Sequence, residues 1–146
     1  MIRLMLVDDS IVRGTTSREI VQMGREAGAN KIYFASAAPP VRFPNVYGID
    51  MPTRQELIAT DRSTDEICQE IGADYLVFQD LDALKLAVSK ALPKVDKFET
   101  SCFDGVYLTR DVTAEYLKRI ELQRACPPLT RSHSNTQLDL SLVVSD

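Results

Sequence analysis

The chain has 146 residues, room for about one domain. Hydrophobic residues make up 45% and charged residues 26%, ordinary for a globular protein and too apolar for a disordered one. Seventeen basic and twenty-one acidic side chains leave a net charge of −4, which opposes the basic face that nucleic-acid binding needs.

In chain order, Ile2 to Val7 predicts a strand, apolar but for Arg3 and so expected to be buried on both faces. It meets Asp8 and Asp9 too soon to be a signal peptide, and no apolar run approaches the ~20 residues that span a bilayer. A helix follows, opened by a capping box of Thr16 and Glu19, with Ile20, Met23, Gly24 and Ala27 on its inner face and Gly28 as its stop. Ile32 to Ala35 predicts a second strand. Strand, helix and strand in that order make a βαβ unit, so the class is α/β with a parallel sheet.

Residues 39–52 are irregular, punctuated by Pro44, Asn45 and Gly48. Capping boxes Thr53/Glu56 and Ser63/Glu66 each open a short helix, and Gly72 closes the second. Tyr75 to Phe78 predicts a third strand. Asp80 caps a helix carrying Leu84, Ala87, Val88 and Ala91, which Pro93 stops. Asp104-Gly105 predicts a turn between two extended pieces. Thr113 to about Arg124 predicts a last helix with Tyr116, Leu117 and Ile120 inward, and residues 125–146 read as a poorly ordered tail. The cysteines Cys68, Cys102 and Cys126 are an odd, scattered set, as reduced cytoplasmic thiols are. The single histidine, His133, excludes a multi-His metal site and a His-based triad.

The chemistry concentrates in Leu6-Val7-Asp8-Asp9-Ser10-Ile11-Val12-Arg13-Gly14-Thr15-Thr16-Ser17. Two carboxylates end a strand, and a hydroxyl- and glycine-containing loop leads into a helix N-terminus. Free amides there, with the positive end of the helix dipole, suit a phosphate monoester. The carboxylates suit sugar hydroxyls or a hard cation such as Mg²⁺. A phosphorylated sugar satisfies both. The plain alternative is a helix cap with solvated acidic residues. A receiver-domain reading, with Asp50 as phosphoacceptor, is opposed by Pro44 in the segment that would have to be its central strand.

The whole string resembles the phosphoribosylpyrophosphate (PRPP) signature of type I phosphoribosyltransferases, and its wording is similar to that of the glutamine PRPP amidotransferase family. The likeness continues through residues 33–40, 43–52, 56–59, 71–74 and 103–107, covering about residues 3–124. It implies a partial type I phosphoribosyltransferase fold, a parallel sheet with flanking helices plus C-terminal helices. It further implies a place in the first step of de novo purine synthesis, in which ammonia from glutamine displaces pyrophosphate from Mg-PRPP.

Carried over residue by residue, the resemblance makes Asp8, Asp9, Ser10, Ile11, Val12, Arg13, Gly14, Thr15 and Thr16 the PRPP-binding set. Asp8 and Asp9 would also serve the Mg²⁺ site. Neighbouring strand residues point to opposite faces, so these two would not play equal roles unless the strand end twists. The family's N-terminal glutaminase domain, with its nucleophilic cysteine, is expected to be absent, so no catalytic residue is assigned. Some family members hold an iron–sulfur cluster. At those positions this chain has Asn45 and Glu99, with Cys102 alone matching, so no cluster is expected. Expected partners are PRPP and purine nucleotides, without nucleic acid or membrane. Family members form homo-oligomers. The alternatives are another type I phosphoribosyltransferase and a non-catalytic PRPP- or nucleotide-binding regulator.

Overall fold

The computed structural model describes residues 1–48, 52–95 and 97–125. Asp50 and the predicted tail from residue 126 onward, including Cys126 and His133, lie outside them. The described chain divides into a unit of residues 1–113 and a second that begins at Ala114.

The first unit holds a three-stranded parallel sheet in the order β1 (Ile2–Asp8), β2 (Ala29–Ser36), β3 (Tyr75–Phe78). The α/β class and the parallel sheet follow the sequence reading. β2 runs three residues earlier and one later than the apolar pattern suggests, because Ala29 and Lys31 pair with Ile2 and Arg3 on either side of an irregularity at Asn30, whose side-chain oxygen accepts from the Ile2 amide. Asp8 and Asp9 extend the pairing past the strand end, their carbonyls accepting from the Ala37 and Ala38 amides (both 2.9 Å).

Helices α1 (Thr15–Glu26) and α2 (Thr64–Ile71) cover one face of the sheet. Beneath them lies a core of Ile11, Val21, Ile32, Phe34, Ile58, Ile67, Ile71 and Leu76. The other face is open. Met5, Tyr33 and Tyr75 form one row across it and Val7, Ala35 and Val77 the next. Val7 is 72% exposed, so the expectation that β1 is buried on both faces fails: it is an edge strand with one covered face.

The inward stripe of α1 is Ser17, Val21 and Gly24, whereas Met23 faces water. Small residues win that face because the helix lies close on the sheet. A Cβ at Gly24 would stand 2.8 Å from Leu4 Cδ2 and 3.1 Å from Ile32 Cδ1. The Thr16/Glu19 capping box does not form either. The helix starts one residue before Thr16, with Gly14 at the N-cap, and no side chain caps it.

The Thr53/Glu56 box opens a single 3₁₀ turn (Arg54–Glu56), and the Ser63/Glu66 box opens α2, which Gly72 closes in a left-handed conformation. Asp80 caps α3 (Leu81–Ala91), accepting from the Ala83 amide at 2.8 Å. Asp104-Gly105 is not a turn between extended pieces. It ends a one-turn helix, α4 (Ser101–Asp104), whose Gly105 carries φ 77°. The second unit contains α5 (Ala114–Ala125), where the Arg119 guanidinium lies 5.3 Å from the Tyr116 ring centroid one turn away.

One ionic junction ties the sheet to α1. The Asp74 carboxylate accepts from the Ile32 amide (2.8 Å), Arg25 (2.5 Å) and Lys31 (3.0 Å). The Ile32 amide first, and the two cations after it, hold the Asp74 carboxyl well below the ordinary carboxylate range. A folded-state pKa below the unfolded one contributes stability that is complete above the unfolded value and lost as pH falls through the folded one. The urea midpoint is therefore expected to drop on acidification below about pH 4, the unfolded Asp range. Asp74→Asn is expected to start lower at neutral pH and to show a shallower acid loss. Equal acid slopes in both proteins would refute this role.

Candidate functional site

The carboxyl end of β1, the loop after it and the first turn of α1 enclose an open cleft of ≈ 470 Å³, lined by Asp8, Asp9, Ser10, Val12, Arg13, Gly14, Thr15, Thr16 and Ser17. Eight of the nine residues singled out from the sequence meet here. Ile11 does not: its side chain is 1% exposed and sits in the core, where it pins the loop from beneath.

The loop's shape follows from one residue. Gly14 has φ 76° and ψ −7°, left-handed backbone that side chains with a Cβ rarely adopt. Its carbonyl accepts the first helical bond, from Arg18 N at 3.0 Å. The first-turn amides that precede Arg18 have no partner within a helix. A glycine N-cap supplies no oxygen to occupy them. These amides, the Ser10, Thr15 and Thr16 hydroxyls and the positive helix end make an anion cradle.

The carboxylates bound its other side. Asp8 is half-buried and accepts from the Asp9 amide (3.0 Å), while Asp9 is exposed and accepts from the Ser10 hydroxyl (3.1 Å). Their exposures differ because Asp8 ends β1 and Asp9 begins the loop. Among the described residues no three Asp, Glu, His or Cys side chains converge as a metal cage. Mg²⁺ uses one or two carboxylates together with water and substrate oxygens, so this adjacent pair fits an ion shared with a ligand.

A second segment, brought in by tertiary packing, holds the loop from behind. The Ile58 amide donates to the Val12 carbonyl (2.9 Å), and Arg13 Nε lies 3.4 Å from Glu56 Oε1. The Ile58 side chain fills the space a Cβ on Gly14 would need, 2.2 Å from its Cδ1. Forty-four residues separate Ile58 from Gly14, and Glu56 reads in sequence as half of a capping box and, with Ile58, as part of the 56–59 stretch of the family likeness, neither of which places it beside the loop.

The positions compared with the family's cluster ligands also come together. Asn45 Nδ2 donates to Ser101 Oγ (2.7 Å), and the Ser101 amide donates to Glu99 Oε1 (3.0 Å) beside Cys102. Burial raises the Cys102 thiol above its ordinary pKa, and burial does the same at Cys68. Both are free thiols. Neither lines the cleft.

With this geometry in view, comparison with known proteins is specific. Over 121 residues the chain is 62% identical to the amidophosphoribosyltransferase of Pasteurella multocida, spanning 83% of this chain and 24% of that protein. It is homologous to part of an amidophosphoribosyltransferase. The Escherichia coli enzyme is 60% identical over the same shares, and that of Lachancea kluyveri 44% over 140 residues, 96% of this chain and 27% of that protein. Two solved structures superpose with TM-score 0.65. One is an allosteric regulatory enzyme of purine biosynthesis, 44% identical, covering 80% of this chain and 26% of its own. The other is the glutamine PRPP amidotransferase of B. subtilis complexed with ADP and GMP, 43% identical, covering 79% and 26%. No family model matches the chain. The chain thus spans about a quarter of the length of the curated amidophosphoribosyltransferases it matches. Among the described residues no helix is long and apolar enough to cross a membrane.

Proposed function

We propose that this chain supplies the PRPP-binding strand, loop and helix of an amidophosphoribosyltransferase. The reaction converts PRPP, glutamine and water to 5-phosphoribosylamine, pyrophosphate and glutamate. The observation that carries the reading is the uncapped start of α1 facing two carboxylates, in a chain about 60% identical to enzymes of that name.

In this reading residues 1–124 are the C-terminal portion of a phosphoribosyltransferase domain, and Ser10 to Thr16 hold the ribose 5-phosphate through amides and hydroxyls. Asp8 and Asp9 take the ribose hydroxyls and hold Mg²⁺, which neutralises charge on the pyrophosphate when bound. Displacement at the anomeric carbon develops positive charge on the ribose as pyrophosphate leaves. Carboxylates fixed at the strand end stabilise that charge without needing a protein nucleophile. None of the nine residues lining the cleft is a cysteine, histidine or lysine. Purine nucleoside monophosphates carry the same ribose 5-phosphate and belong to the same reading as regulators. The structure of the B. subtilis relative with GMP favours their inclusion. A cytoplasmic location also fits, with Cys68 and Cys102 as free thiols.

Calorimetric titration with Mg-PRPP, beside Asp9→Asn, tests this. Saturable binding by the wild-type chain is expected, weakened about 10- to 100-fold by Asp9→Asn, the loss of one charged hydrogen-bonding partner. A folded wild-type chain that gives no binding heat, or a variant that binds equally well, rejects the assignment.

A further inference from the structure

Arg13 is the single cation among the residues lining the cleft, which Asp8 and Asp9 line as well. A phosphate dianion entering beside two carboxylates needs a counter-charge, and a guanidinium presents a planar fork that matches phosphate oxygens. Arg13 also has a partner within the chain. Its Nε lies 3.4 Å from Glu56 Oε1, with both side chains about half exposed (48% and 47%).

Glu56 is not placed there loosely. Its other oxygen, Oε2, accepts from the Thr53 amide (2.8 Å) and the Thr53 hydroxyl (2.9 Å). These bonds to Thr53, more than Arg13, lower the carboxyl below its ordinary pKa and keep it ionised. Its segment is in turn fixed to the loop by the Ile58–Val12 backbone bond of 2.9 Å. Glu56 is therefore an anchored carboxylate, aimed with one oxygen at the cation of the cleft.

We propose that Glu56 is a built-in competitor for the phosphate group, a positioning residue that holds Arg13 at the mouth and yields it when a phosphate monoester binds. The idea rests on the anion-site reading above. A single 3.4 Å contact between half-exposed partners is weak, so an incoming dianion that offers two acceptor oxygens displaces it.

The test is a double-mutant cycle read by titration with ribose 5-phosphate, using the full chain. Glu56→Gln keeps an oxygen for the Thr53 bonds while removing the charge. It is expected to tighten ribose 5-phosphate about two- to fivefold, the worth of one exposed ion pair. Arg13→Gln is expected to weaken binding, and in that background Glu56→Gln should have no effect. A merely structural Glu56 would give weaker binding in both backgrounds and overturns the proposal. So does equal affinity of wild type and Glu56→Gln. If neither wild type nor Glu56→Gln binds while both give dispersed amide spectra, the anion-site reading itself falls and takes this proposal with it.

Discussion

Phe34→Ala is expected to destabilise the folded chain by about 3–5 kcal/mol, while Tyr33→Ser, one residue away, is expected to cost less than about 1 kcal/mol. The two lie on β2, the middle strand, and point to opposite faces of the sheet. Phe34 is 1% exposed among Ile11, Ile32, Ile67, Ile71 and Leu76, and its removal leaves a cavity that a close-packed layer does not refill. Tyr33 is only partly covered, and its ring meets that of Tyr75 with centroids 6.3 Å apart. Domains are stable by only about 5–15 kcal/mol, and a core with one covered face belongs at the low end. Phe34→Ala should therefore leave a large unfolded population at room temperature, seen as loss of helical circular dichroism and an early urea midpoint. Similar losses for both variants would mean that the face bearing Tyr33 is packed as tightly as the other.

That contrast also shows where the sequence misled. The run Ile2 to Val7 is apolar but for Arg3, which shares the open face with Met5 and Val7, and apolar runs ordinarily mark strands covered on both sides. Periodicity reports the faces a strand is built to bury, and the covering elements must come from elsewhere in a chain. Here α1 and α2 cover one side, leaving Met5, Val7, Tyr75 and Val77 exposed. Exposed apolar patches of this kind invite association.

Local signals fared better. Ser63, Gly72 and Asp80 act within three or four residues, and each does in the structure what its side chain or missing side chain dictates. The Thr16/Glu19 box failed because a rival start was available two residues earlier. Gly14 turns the chain into the helix by its backbone alone, and that choice leaves the first-turn amides for a ligand. Asp8 to Thr16, Ile11 apart, were legible as a candidate site because strand end, loop and helix start are consecutive. The support from Glu56 and Ile58 was invisible because it arrives through tertiary packing.

Gly14→Ala is expected to cost about 1–3 kcal/mol of stability from left-handed strain alone and to remove phosphate binding. The steric part is separable from the strain. A Cβ at position 14 would lie 2.2 Å from Ile58 Cδ1, whereas the next nearest atom, Ile58 Cγ1, is at 3.3 Å. Ile58→Val deletes the offending methyl at a cost of about 0.5–1.5 kcal/mol on its own. Combined with Gly14→Ala, it should recover part of the loss, so the double variant falls short of the summed single costs by about 0.5–3 kcal/mol. Binding should not recover in step. The strain at position 14 persists, and the amides of Thr15 and Thr16 no longer line up with the loop hydroxyls. Chemical denaturation reads the first effect and titration with ribose 5-phosphate the second. Strict additivity in stability would show that Ile58 does not press on Gly14. Full recovery of binding in the double variant would show that the cradle depends on that contact and not on the left-handed turn.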